Sequence, residues 1–450
     1  MATQLYFSRD TKVYVEFDGK VWELPVLDGF SFSQANNTSE ITLNEMESSA
    51  GVSRRGRRAF NDSLAPGEWS LSTYVRPFAS AGSGTGAADG AAETHAVEEV
   101  LWAMMAGADN YDATTYDFDR GGSNVITPAV GSSAISFDYS NKSTLGTANI
   151  YFVMGDANRT VMKLKDAVVN EASVDFEIDG IATIAWSGQC SEVIDFTGST
   201  IEQASSEVSK DVTVNGAVSS GATSITLAAG HGAVVGDLLF GTGLPATGAP
   251  ITAVSTNAMT VAATSDAIAD AATLTLRKAT LDKTAVQAGN VWLDSDDSHR
   301  LYVFTGAAGT YVPTTEALTS YPINEATTDT SNFIRNRLTT LTVNGTNTPG
   351  LLSSYDLTLT GGNVTLSNNV TFITPEEIGL VNIPVGHVTG TRSVSGSFTC
   401  YMSVDTTKRD GTGNLSRDLF EDLRALTTTV TNNVGLTFSV GGGSGNRLEM

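Results

Sequence analysis

Lys165-Asp-Ala-Val-Val-Asn-Glu-Ala-Ser-Val-Asp-Phe-Glu-Ile-Asp-Gly-Ile-Ala-Thr-Ile-Ala-Trp-Ser-Gly188 reads as a β-hairpin. Val174, Phe176 and Ile178 alternate with Asp175, Glu177 and Asp179. A period of two puts apolar side chains on one face of a strand and the three carboxylates on the other. Asp179-Gly180 is a turn pair, and Ile181, Ile184 and Trp186 return as the second strand. Two further stretches have a similar order of strand, polar break, strand and aromatic closing strand. One runs from Leu27 through Glu40–Glu45 to Glu68-Trp-Ser-Leu-Ser-Thr-Tyr-Val75. The other runs from Leu359 through Ile373-Thr-Pro-Glu-Glu377 to Val394-Ser-Gly-Ser-Phe-Thr-Cys-Tyr401. Recurrence in order marks this unit as the repeat of the fold.

The whole composition agrees with strands. The chain has 450 residues, 41% of them hydrophobic and 17% charged, with 44 glycines, so it is long enough for two or three compact units with many turns. Its 26 basic and 49 acidic residues give a net charge of −23. That excess argues against a general binder of nucleic acid or anionic membrane, because phosphates are held by Lys and Arg. Cys190 and Cys400 are too few for a disulfide framework and are expected as buried free thiols, at equivalent positions of two repeats. The first residues lack a signal peptide's basic and apolar regions, and no apolar run reaches the length of a membrane span. A soluble protein made in the cytoplasm is the expectation.

Along the chain, Leu5–Val75 predicts strands and turns, interrupted by the basic cluster Arg54, Arg55, Arg57 and Arg58. On so acidic a protein these arginines are a candidate interface, to an acidic face of a neighbour or to phosphate. The alternative is a solvated loop. Thr94–Met105 predicts a helix capped by Thr94 and ended by Gly107, and Ser416–Leu426 predicts a second helix with Leu419, Phe420, Leu423 and Leu426 on one face. From Ser205 the composition turns to Ala, Gly, Thr and Ser with short strands, which suits a small β-module. Val291–Phe304 adds a hairpin whose tip carries Asp294, Asp296 and Asp297. The glycine and closing glutamate of a calcium loop are both missing there, so no metal site is assigned.

Catalytic signatures do not emerge. There is no zinc-protease, serine-hydrolase, Walker or dinucleotide motif, and His95, His231, His299 and His387 have no acid or nucleophile at motif spacing. Carboxylates are numerous enough for a glycosidase pair, but nothing in the sequence signals a cleft. No catalytic residue, cofactor site or metal ligand is assigned, and no enzyme activity is expected.

Arg58-Ala-Phe-Asn-Asp-Ser-Leu-Ala-Pro-Gly-Glu-Trp-Ser-Leu-Ser-Thr-Tyr-Val-Arg-Pro77 resembles a stretch of phage tail tube proteins, nearest to the duplicated tube protein of demerecvirus-type siphophages. Asn170–Gly188 looks like that family's mid-chain strands. Asn336-Arg-Leu-Thr, Ser354-Tyr-Asp, Thr360-Gly-Gly-Asn363, Ile373-Thr-Pro375 and Gly396–Tyr401 are similar to its second half, in order. The likeness covers roughly residues 1–200 and 330–450 and leaves about 204–328 as an insertion.

The resemblance implies a mainly β fold of two tandem tube domains, each a β-sandwich or barrel with a flanking helix. They would occupy 1–203 and 329–450, around an inserted all-β surface module at 204–328. It implies homotrimeric rings of pseudo-sixfold symmetry, stacked into the tail tube of a virion and made in the host cytoplasm. Partners implied are further copies of the chain, the tape measure protein and then phage DNA in the lumen, and the tail terminator and tip proteins, with no membrane binding. Asp175, Glu177 and Asp179 become candidate lumen-facing carboxylates that repel phosphate during genome delivery. A rival reading is a virion adhesion protein that binds host glycans through the inserted module. Finally, Ile150–Arg159 is echoed by Leu436–Arg447, so a strand pair like that of Lys165 is expected after Leu448-Glu449-Met450. It would come from a few tens of further residues or from a neighbouring subunit.

Overall fold

The computed structural model describes residues 8–17, 20–41, 58–75, 77–79, 94–96, 98–106, 145–156, 159–203, 209–228, 230–245, 248–261, 264–277, 289–295, 298–305, 312–313, 334–345, 350–376, 382–402, 415–425, 435–441 and 448–450. The fold is mainly β and divides into two compact units, residues Met1–Asp195 with Ser320–Met450, and Phe196–Thr319.

The first part of unit 1 contains β1 (Thr11–Phe17), β2 (Lys20–Leu24), β3 (Ser31–Ser33), β4 (Asn36–Ile41), β5 (Arg58–Leu64), β6 (Gly67–Tyr74), β7 (Pro77–Ala79) and β8 (Thr94–Ala96). Helix α1 (Glu99–Ala106) follows, then β9 (Ala148–Met154), β10 (Thr160–Glu177), β11 (Thr183–Cys190) and β12 (Glu192–Asp195). Thr94–Ala96 is therefore a strand paired with Pro77–Ala79, not the first turn of the predicted helix. The helix begins only at Glu99, after the buried Glu98.

β10 organises this unit. Its first half lies between β9 and β12, and its second half between β11 and β25 (Leu359–Ser367). Register shifts near Leu164/Ala167 and Val169/Glu171, with Asp166 at φ 51°, bend the strand from one sheet into the next. The expectation that Lys165–Gly188 is one copy of a recurring unit is corrected by this pairing. The stretch is the second half of an 18-residue strand and its return, and it pairs with the closing strand β6 instead of copying it.

Unit 2 has β13 (Thr200–Gln203) parallel to β20 (Val291–Asp294), which pairs with β21 (Arg300–Thr305) and through it with β22 (Val312–Pro313). Its other sheet orders β14 (Ser209–Thr213), β19 (Thr273–Arg277), β16 (Leu238–Phe240), β17 (Ala249–Val254), β18 (Ala258–Val261) and β15 (Ser224–Thr226). Backbone bonds from Asn215 N to Thr226 O and from Ala228 N to Thr213 O join the outer strands and roll that sheet around Ile225, Leu239, Ile251, Met259 and Leu276. β17 forms although it contains Ala249 and Pro250, residue types that strands disfavour.

The second part of unit 1 contains β23 (Thr340–Asn344), β24 (Tyr355–Leu357), β25, β26 (Val370–Ile373), β27 (Gly386–Thr389) and β28 (Ser393–Cys400). It ends with α2 (Ser416–Ala425), β29 (Gly435–Val440) and β30 (Leu448–Glu449). The pairings repeat those of the first part. β23 pairs β24 and β29 as β1 pairs β2 and β9, β28 pairs β25 as β6 pairs β3, and β26–β27 forms a hairpin like β4–β5. β30 lies beside β29, with Leu448 opposite Val440, where the start of β10 lies beside β9.

Polar side chains stitch the two parts together. Asn368 donates to Val169 O and Met105 O, and Arg392 donates to Asn368 Oδ1 and to Met105 O and Ala106 O at the carboxyl end of α1. A guanidinium there satisfies end carbonyls and opposes the helix dipole. Among the described residues no helix is long and apolar enough to cross a membrane.

Candidate functional site

Strands β3, β6, β11, the second half of β10, β25 and β28 form one continuous antiparallel sheet. Because side chains alternate, its register fixes what each face carries. One face holds Ser70 and Ser72 on β6, Thr183 and Ser187 on β11, and Glu171, Ser173, Asp175 and Glu177 on β10. It continues through Asn363 and Thr365 on β25 to Ser395 and Ser397 on β28. Hydroxyls and amides knit it across strands: Ser31 and Ser70 Oγ lie 2.8 Å apart, Ser173 Oγ and Thr365 Oγ1 3.0 Å, and Ser397 Oγ donates to Asn363 Oδ1 at 3.0 Å. Glu68, Glu171, Asp175 and Glu177 are its charges, and none of its described residues is Lys or Arg.

Over β6, β10 and β11 the opposite face is core. Ala172, Val174 and Phe176 pack with Ile184, Trp186 and Leu71, and the Phe176 ring meets Phe438 at 4.6 Å. Trp186 donates its indole N–H to Thr73 Oγ1 at 2.9 Å and meets the Trp102 ring of α1 edge-on at 4.7 Å. Gly188 is required where it stands, since a Cβ there would lie 2.0 Å from Val168 O and 2.5 Å from the Trp69 ring.

The three predicted carboxylates do not form one set. Asp175 and Glu177 are exposed neighbours on the polar face, and the Asp175 carboxyl is raised, first by partial burial and then by the Glu177 charge. Asp179 lies beyond the strand end, where it accepts a 2.7 Å bond from Arg337. Ile178, expected on the apolar face, is 43% exposed because the strand has already ended at Glu177. Of the basic cluster, Arg58 opens β5, and Arg54, Arg55 and Arg57 lie outside the described residues. Asp296 and Asp297 lie outside them too, Asp294 is buried, and no metal-holding group occurs among the described residues. Cys190 is buried, with its thiol pushed up to about 12 chiefly by burial, and Cys400 is half-buried; both are free.

No protein-family model matches the chain. Over 407 residues, 90% of its length, the chain is 22% identical to the tail tube protein pb6 of Escherichia phage T5. Its similarity is to a phage tail tube protein. The match spans 57% of that relative's length. Two solved structures of an extracellular contractile injection system, the PVC sheath/tube terminator and sheath-tube complex in the extended state, are 10% and 11% identical. Each covers 43% of this chain, and 98% and 92% of theirs, at a TM-score of 0.23, too loose a superposition to add weight.

Proposed function

We propose that the chain is a structural subunit of a phage tail tube, a virion component that assembles with its own copies and performs no catalysis. The observation that carries this reading is the hydroxyl- and carboxylate-bearing face of the six-stranded sheet, without a Lys or Arg among its described residues. Turned to the lumen, such a face gives phosphate no cation to hold and repels it with Asp175, Glu177, Glu171 and Glu68. DNA would slide through without binding. Among the described residues β3 and β28 stand at the two ends of the sheet with open edges, which ring formation would pair and remove. Homotrimeric rings of pseudo-sixfold symmetry would stack by a heterologous contact that extends without closing. Arg54, Arg55, Arg57 and Arg58 would serve that contact against the acidic surface of the next copy. The tape measure protein, then DNA, would fill the lumen, with terminator and tip proteins at the ends.

Negative-stain microscopy of purified protein and of virions tests the reading. Stacked rings around a channel are expected; discrete knobs or fibres would refute it and favour the adhesion protein. Replacing Asp175 and Glu177 with Lys should preserve tubes and slow DNA ejection most at low salt. Ejection unchanged at low salt would remove the lumen assignment.

A further inference from the structure

His231 has no acid or nucleophile at motif spacing, yet both of its ring nitrogens have a partner inside unit 2. The residue is 6% exposed. Its Nδ1 lies 3.0 Å from the backbone nitrogen of Ala233, and its Nε2 lies 3.2 Å from the carbonyl oxygen of Ser255. These partners decide the tautomer. A backbone N–H can only donate, so Nδ1 must accept; a carbonyl oxygen can only accept, so Nε2 must carry the proton. The bond from Ala233 closes the same ring as an Asx turn, with an imidazole in place of the usual carboxamide or carboxylate.

After Ala233 the chain makes a tight turn, Val234-Val235-Gly236-Asp237, closed by Asp237 N donating to Val234 O at 3.2 Å. Val234 and Val235 stand 46% and 62% exposed on it. The far side of the turn is fastened to β17, through Gly236 N to Ile251 O and Ile251 N to Asp237 O, both 2.8 Å. On the near side Lys210 of β14 donates to Gly230 O at 3.0 Å. The charged groups around the loop are therefore few. Asp237 accepts from Val234 N at 2.9 Å, Lys210 is held by Gly230, and Asp211, also on β14, accepts from Thr275 Oγ1. The hairpin that supplies Ser255, Ala249–Val261, contains no titratable residue.

We infer that His231 is an acid-sensitive latch on this apolar tip. The neutral ring pins Ala233 and holds Val234 and Val235 in place; the protonated ring releases Gly232–Val235. Protonation puts a hydrogen on Nδ1 that points at the Ala233 N–H, so two donors face each other in a buried place and the bond has no acceptor. The latch is closed at high pH and opens as pH falls through the range in which imidazoles charge. Opening stays local, because neither the Lys210–Gly230 bond nor the pair joining Gly236 and Asp237 to Ile251 involves the ring. The inference stands apart from the tube assignment.

Hydrogen exchange of the full chain, read by mass on peptides covering Gly230–Gly236 and β17, tests it. Corrected for intrinsic rates, protection over Gly232–Val235 should fall about tenfold between pH about 7.5 and about 5, while that of Ile251 holds. His231→Asn places a carboxamide oxygen, which does not titrate, where Nδ1 stood, and so keeps the turn. Its protection should not change over the same interval. In the unaltered chain, exchange of the His231 ring C2 proton reports the charge on the imidazole. Its midpoint should coincide with the loss of protection, which keeps the test decisive if the variant fails to fold. Protection unchanged by acid overturns the inference. So does a folded His231→Asn chain that loosens as the unaltered one does, which would move the titration to Asp237. A ring midpoint apart from the loss of protection overturns it as well.

Discussion

The two helices of unit 1 follow equivalent strands and meet opposite fates. α1 buries Leu101, Trp102, Met104 and Met105 against the strands that follow it in sequence. α2 turns its carboxylate inward to Tyr355, whose hydroxyl is pushed up to about 12 by burial first, with Asp422 adding to it, and leaves Phe420 and Leu423 outside. The difference is not one of helix propensity. Among the described residues a strand pair stands in front of the apolar face of α1 and none in front of that of α2, so the amphipathic pattern reports what a helix needs and not what it has.

The sharpest way to break this comparison is to truncate one residue on each side. Trp186→Ala should cost about 3–5 kcal/mol of stability, by loss of transfer energy, cavity formation and an orphaned Thr73 hydroxyl. Phe420→Ala should stay within about 0.5 kcal/mol in the isolated chain. Equal losses in urea unfolding would show α2 to be covered after all.

The seam between the parts comes next. Arg392→Ala removes charged hydrogen bonds to Asn368 and to the carboxyl end of α1, and should cost about 1–3 kcal/mol. Faster amide exchange in α1, more than 280 residues away in sequence, is the signature; exchange confined to the loop around Arg392 would mean that the parts are stitched elsewhere.

Smaller effects concern the carboxylates. Asp175 sits between Thr183 and Asn363, where strands of the two parts meet. A carboxyl raised on folding holds its proton more tightly in the folded state than in the unfolded one. Its contribution is therefore most favourable below the unfolded value and is lost as pH rises through the folded one. Asp175→Asn should raise stability at neutral pH by under about 1 kcal/mol and flatten the fall just above the usual carboxylate range. Melting curves at several pH values check both. Least of all, Asp179→Ala breaks an exposed pair with Arg337 and should cost at most about 0.5 kcal/mol, vanishing in high salt.

Local pattern was readable wherever it was strong. The alternation from Ala172 to Glu177, the serine-flanked strands at Trp69 and Phe398, and the Ser416 helix all appear where the residues put them. What stayed hidden depends on distant partners. Nothing in Asp166 or Asn170 announces that β10 bends there from one sheet to another, since the bulges are defined by β9 and β11. Thr94–Ala96 fits a helix start as well as a strand until Pro77–Ala79 pairs with it. The polar face was half visible: three carboxylates could be listed, but the hydroxyl lining comes from six strands and exists only once their register is set. Asp179 was misgrouped because alternation says nothing about where a strand ends.

The pairing of β10 with β25 also orders events on the ribosome. Ser173 and Thr365 touch although they are 192 residues apart, with the whole of unit 2 encoded between them. β10 must therefore wait through the synthesis of a separate β-module with one edge unsatisfied, a long-range contact of the kind that slows folding and invites misassembly. Its carboxylates and serines keep that waiting edge polar on one side. The inserted unit thus acts as a delay line between a template and the strand that completes it.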